Sequence, residues 1–159
     1  MTDDVVVAAR RALAASTDLT DLLGSGKGFD TWIFPGNGED SDVPVIFEGS
    51  KKACIVIWSS GGWAAPNLHN TAQFPAIYID VYIDPGRDSK NQKTTPYLRD
   101  RFIPIWNEVD KVLNYPANAE ILWDDMRIIT SKRFNEWKVR PVSDTDGAYM
   151  SSVQYAVTI

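Results

Sequence analysis

Few side chains in this sequence could do chemistry. A Ser or Cys nucleophile needs an adjacent base, most often His, and the chain has one His, His69, and one Cys, Cys54. His69 lies between Asn67 and Asn70, a setting that suits a loop base, a ligand-binding group or a solvated loop residue. Cys54 opens the apolar run ACIVIWS, where a thiol is expected buried and inert. One Cys and one His cannot supply a structural zinc site, and one Cys cannot form an internal disulfide. Gly24-Ser25-Gly26-Lys27-Gly28 has the glycines and lysine of a phosphate loop. However, Asp21 stands where the first Walker glycine belongs, Gly28 stands where Ser or Thr should follow the Lys, and a helical pattern precedes it. A flexible turn is the expectation.

Carboxylates are the remaining candidates. Asp80 and Asp84 alternate with Tyr78 and Tyr82, while Asp124/Asp125 and Asp144/Asp146 form close pairs. Paired acids can build a glycosidase-like or hard-metal site. They are equally what a solvated sheet face and an Asp-Gly turn require. No base, nucleophile or cofactor motif accompanies them, so neither catalysis, a cofactor nor a metal is expected. Two other classes stay open: a small-molecule or carbohydrate-binding domain using the Tyr78/Asp80/Tyr82/Asp84 face, and a hydrolase using paired carboxylates.

The elements that must position these groups follow from periodicity. Helices are predicted from Asp4 to about Ala15, with Asp3 or Asp4 as cap, and from Asp18 to Leu23, with Thr17 as cap and Gly24 as stop. Thr31–Phe34 reads as a short strand ending at Pro35-Gly36. Ala53–Ser59, apolar on both faces, reads as a central strand. Pro75–Asp84 alternates Ile77, Ile79, Val81 and Ile83 against Tyr78, Asp80, Tyr82 and Asp84. Residues 60–74 between them read as a long loop with Trp63 near its tip, and loops of that length are often functional.

Thr95-Pro96 should start a helix reaching about Tyr115, with Leu98, Phe102, Trp106, Val109 and Leu113 as one stripe and a kink or restart at Pro104. Strands follow at 120–123, 127–130 and 133–142. After an Asp-Gly turn, Tyr149–Ile159 places Val153, Tyr155, Val157 and Ile159 on one face. The expected architecture is α+β, a mixed and mostly antiparallel sheet with helices packed on one face, as one domain over 1–159. The Ile77/Ile79/Val81/Ile83 face and the Val153/Tyr155/Val157 face are expected to meet the helices.

With 159 residues, 44% hydrophobic and 23% charged, the chain can bury a core without staples. The net charge of −5 and the lack of a basic stripe argue against a nucleic-acid binder. The densest cationic stretch, Lys132, Arg133, Lys138 and Arg140, is broken by Glu136 and reads as a mixed strand face. Neither a signal peptide nor a membrane span is visible, so a soluble, intracellular protein is expected. Six Trp, six Tyr and six Phe leave aromatics for interfaces.

The order of elements, with DLTDLLG (Leu19, Leu22, Leu23, Gly24), WIFPG (Ile33, Phe34, Pro35), Ile79-Asp80-Val81-Tyr82 and the closing RPVSDTDGAYMSSVQYAVTI, resembles the tail-terminator (tail-completion) proteins of long-tailed bacteriophages. The resemblance covers most of the chain through short, degenerate motifs. The 60–74 loop and the polar 87–95 linker depart from it.

The resemblance implies a virion protein without catalysis, located at the head-proximal end of the tail and assembled in the host cytoplasm. It implies a homo-oligomer, a hexameric ring on the major tail tube protein. That ring stops tube polymerisation and offers a surface to a head-side connector or neck protein, with DNA passing through unbound and no membrane involved. A head-tail connector is the near alternative. Sheet edges and aromatic loops are natural contacts for a closed ring. Candidate subunit or tube contacts are Trp63 and Phe74 in the loop and Arg87, Lys90 and Lys93 in the linker. Asp144 and Asp146 are candidate acids facing the lumen or a basic partner.

Overall fold

A computed structural model of the chain describes residues 2–23, 32–36, 53–59, 63–64, 73–74, 76–83, 98–115, 121–123, 125–134, 137–141 and 149–159. Three helices lie among them: α1 (Thr2–Ala14), α2 (Thr17–Leu23) and α3 (Leu98–Leu113). The strands are β1 (Ile33–Pro35), β2 (Ala53–Ser59), β3 (Trp63–Ala64), β4 (Gln73–Phe74), β5 (Ala76–Ile83), β6 (Ile121–Trp123), β7 (Met126–Ile128), β8 (Thr130–Arg133), β9 (Val139–Pro141) and β10 (Tyr149–Thr158).

The main sheet runs β1-β2-β5-β10-β8, with β9 also paired to β10. Only β1–β2 is parallel. The α+β class and the mostly antiparallel sheet therefore stand as the sequence predicts. β2 is central, with Ala53 to Ile57 buried on both faces, and β10 is the longest strand.

Register sorts the side chains. Ser151, Val153 and Tyr155 of β10 oppose Val81, Ile79 and Ile77 of β5, and Val81 and Ile79 oppose Ile55 and Ile57 of β2. This row meets the helix layer, where the Trp106 Nε1–H donates to Ser151 Oγ at 3.0 Å and Phe102 packs against Trp137. Val5, Ala9 and Leu13 of α1 and Phe102, Trp106, Val109 and Leu113 of α3 are buried in the same core, at the spacing of one helical stripe. The helix-facing rows are those expected.

Several expectations need correction. Ser16, not Thr17, caps α2: its Oγ accepts from Leu19 N–H at 3.3 Å, because Thr17 is itself helical. α3 runs through Pro104 as one element without restarting; the flanking turns pack on the sheet through buried Phe102, Ile105 and Trp106. The strand expected over 133–142 is split. β8 ends at Arg133, β9 begins at Val139, and the two pair with different halves of β10. Residues 60–74 are not all loop, since β3 and β4 pair antiparallel. The caps at Thr95 and Gly24, the Asp-Gly turn, His69, Asp84 and Asp124 lie outside the described residues.

Both outer strands of the β1-β2-β5-β10-β8 path are closed by residues distant in sequence. Trp32 O and Gly36 N bond to β2, so the alternation points the backbone of Ile33 and Pro35 away from the sheet. There the Arg10 Nε–H donates to Ile33 O at 2.7 Å, and Pro35 has no N–H to offer. Trp32 enters this strand at φ 54°, a left-handed conformation that costs a bulky residue of order 1–3 kcal/mol. At β8, Tyr115 N–H donates to Ser131 O at 2.6 Å and Ser131 N–H to Tyr115 O at 3.0 Å. Arg133 N–H reaches Asn114 Oδ1 at 3.1 Å. The C-terminal end of α3 thus caps this edge, a common device against strand addition.

Candidate assembly surfaces

The second face of the sheet, away from the helices, departs most from expectation. It was read as wet because Tyr78, Asp80, Tyr82 and Asp84 alternate along β5. Asp80 is only 3% exposed and Tyr82 is buried. Cys54 and Met150 flank Tyr82, and Val56 and Ser152 flank Asp80, so three of the four cross-strand partners on this face are apolar. The Asp80 carboxylate accepts from Trp58 Nε1–H at 2.8 Å and from Ser152 Oγ–H at 2.5 Å, the satisfaction a buried acid requires. These two bonds tie β5 to β2 on one side and to β10 on the other, the pattern of a structural fastening. Cys54 is buried, as expected.

Further along this face, near the end of β2, Trp58 is stacked on Tyr78 with ring centroids 4.0 Å apart and planes 9° from parallel. Tyr78 opposes Gln154 on β10, and Phe134 N–H donates to Gln154 O at 2.8 Å. Trp58, Tyr78, Gln154 and Phe134 therefore form a row across four adjacent chain segments, roughly 14 Å at the usual strand spacing. Trp58, Tyr78 and Gln154 are half-buried, whereas Phe134 is 70% exposed.

The two-residue strand period also sorts the cationic stretch. Lys132 opposes Ala156 and Arg140 opposes Met150, both on the second face. Lys138 precedes Val139, whose partner Ser151 faces the helices, so Lys138 takes the second face as well. All three are exposed. Arg133 points the other way, its Nη1 donating to Asp110 Oδ2 at 2.6 Å. Tyr155 O–H donates to the other oxygen of Asp110. Burial, and then that hydrogen bond, push the Tyr155 phenol far above its usual pKa. The expected mixed face is thus a basic margin on one side and an ion pair on the other. One signal could have revealed Phe134: it is an apolar residue in phase with Thr130 and Lys132.

On the helix layer, α2 and α3 border an open groove of about 810 Å³, lined by Asp18, Leu22, Pro104, Asn107, Glu108, Asp110 and Lys111. Leu22 is 37% exposed on its floor. Lys111 Nζ donates to Glu108 Oε1 at 2.8 Å; that bond, with Asp18 nearby, raises the lysine pKa. Among the described residues, no three His, Cys, Asp or Glu cluster as a metal site would need, and no helix is long and apolar enough to cross a membrane.

Of the residues singled out from sequence, Trp63 and Phe74 are brought together as cross-strand partners of the β3–β4 hairpin. That hairpin leaves the sheet between Ser59 and Ala76, the end nearest Trp58 and Tyr78. Arg87, Lys90, Lys93, Asp144 and Asp146 lie outside the described residues.

Comparison of the sequence with known protein families finds no match, and comparison with curated proteins finds none either. The fold, however, matches a chain in a structure titled "Virion of native gene transfer agent (GTA) particle". The TM-score is 0.61 at 14% sequence identity, over 97% of this chain and 93% of that one. At this identity the likeness is one of fold.

Proposed function

We propose that this chain is a structural protein of a phage-like virion, and within that class a tail terminator. In this reading it caps the tail tube as a ring, stops tube polymerisation and offers a surface for head-tail joining. The observation that carries the reading is the fold shared along almost the whole of both chains with a component of a gene transfer agent virion. The sequence resemblance to tail terminators points the same way independently. A head-tail connector is the near alternative, differing in partner more than in fold.

A ring that stops growth needs a head-to-tail subunit contact whose rotation closes. Arg10 at β1, and Asn114 and Tyr115 at β8, occupy outward-facing backbone groups, which favours side-chain surfaces over strand addition at those two strands. The net charge of −5 suits a lumen through which DNA slides without phosphate contacts to retard it. The ligand-binding alternative loses one of its two acids, because Asp80 is buried and engaged by Trp58 and Ser152.

Negative-stain images of the protein mixed with purified tail tubes test the reading. Six-fold rings at one tube end, with tube growth halted, are expected. A protein that never associates with tubes at any concentration sinks it.

A further inference from the structure

We propose that copies of this chain join head to tail, with Phe134 and its basic margin on one copy seated in the acidic groove between α2 and α3 of the next. The proposal rests on the ring-forming reading above and supplies the contact that such a ring requires.

A lone exposed aromatic needs no explanation. Phe134 is different because it ends the row through Trp58, Tyr78 and Gln154, and because Lys132, Lys138 and Arg140 share its face. An aromatic knob with a cationic collar suits an apolar hole with an acidic rim. The groove between α2 and α3 has that character: Leu22 and Pro104 provide apolar surface, and Asp18 and Glu108 line it. Asp21, exposed one turn along α2, adds a further acid. Lys111 is held by Glu108 at the wall, so the acids still outnumber the cations there.

Placement decides the symmetry. The knob is on the sheet's second face and the groove is in the helix layer on the other side. One two-fold axis cannot satisfy two patches on opposite layers, so the contact is heterologous and repeats from copy to copy until it closes. Apolar burial at the knob supplies the affinity, and the charged rim sets register and screens with salt.

An Asn107→Cys/Ala156→Cys double variant, treated with a short bis-maleimide over a range of protein concentrations, tests the contact while keeping Phe134 and Leu22. Asn107 lines the groove and Ala156 lies beside Lys132 on the second face; both are exposed, and Cys54 is buried away from the reagent. A ladder extending beyond dimers on a denaturing gel is expected. Each single variant alone should give dimers at most, and an equimolar mixture of the two should stop at a one-to-one pair. Reversing Lys132 and Lys138 to Glu should cut ladder formation about tenfold, a change of the size expected for losing rim complementarity. Adding Asp18→Lys and Asp21→Lys to the same chain should restore it.

A double variant that never exceeds the single variants overturns the proposal. So does Phe134→Ser if it abolishes tube capping while copies still cross-link through other faces, since the knob would then belong to the tube protein. The two readings fail separately. Tube capping without a ladder removes the contact and leaves the tail reading, whereas a ladder without capping does the reverse.

Discussion

The two faces of the sheet handle polar groups in opposite ways. On the helix side, the apolar rows of β2, β5 and β10 are sealed by α1 and α3. Polar groups there include fastenings: Trp106 to Ser151, and Tyr155 and Arg133 to Asp110. On the second face, burial around Asp80 and Tyr82 gives way to half-buried Trp58 and Tyr78 and then to the exposed Phe134 and its lysines. One face is sealed by helices, and the other changes along its length from buried to exposed. On the contact proposed above, a single β-sheet carries stability and assembly together, separated by face and position.

Four substitutions break or sharpen that division. The largest loss is expected for Phe102→Ala, which empties a fully buried site on the helix face and should cost about 3–5 kcal/mol by urea denaturation. Asp80→Ala should come next, at about 1–3 kcal/mol, because it removes a buried acid and strands the half-buried donors of Trp58 and Ser152. A loss below about 0.5 kcal/mol, the value for an ordinary surface site, would mean this part of the second face is wet after all.

Tyr155→Phe should cost about 1–2 kcal/mol as a lost bond to a charged acceptor, and it carries a pH signature. The folded phenol has its pKa raised by burial and by Asp110, so the neutral form belongs to the folded state. Its contribution is whole below about pH 10, where the unfolded phenol titrates. It is lost above that at about 1.4 kcal/mol per pH unit. The stability difference between wild type and variant should therefore shrink as pH rises past 10; a difference that stays constant would contradict the buried hydrogen bond. The smallest effect on stability is expected for Phe134→Ser, within about 0.5 kcal/mol of wild type in the same denaturation. A large loss there would place Phe134 in the fold and remove it from the contact surface.

The helix-facing half was legible in the sequence. The spacing of Phe102, Trp106, Val109 and Leu113 and the alternation of Ile77 to Ile83 and Val153 to Val157 are each recorded within one segment. The partition of the second face was not, because Asp80 lies between Val56 and Ser152 on other strands and is held by Trp58 and Ser152, partners that alternation along β5 cannot reveal. The same holds for the cations: four residues that look alike in sequence become a three-residue margin and one ion pair only when register is known. The β3–β4 hairpin was missed because its paired segments are two residues each, too short to show a period.

By itself, the sequence determined the α+β class, the central place of β2, the stripe on α3 and the length of β10, all set by local period and composition. The tertiary structure alone decided that Asp80 is a fastening, that Arg10 and Asn114 bond the outer backbone of β1 and β8, and that Phe134 and the α2–α3 groove lie on opposite layers. The physical reason is the reach of each signal. Periodicity is written between residues a few positions apart, whereas burial of an acid, capping of an edge and separation of two surfaces depend on groups brought together from tens of positions away.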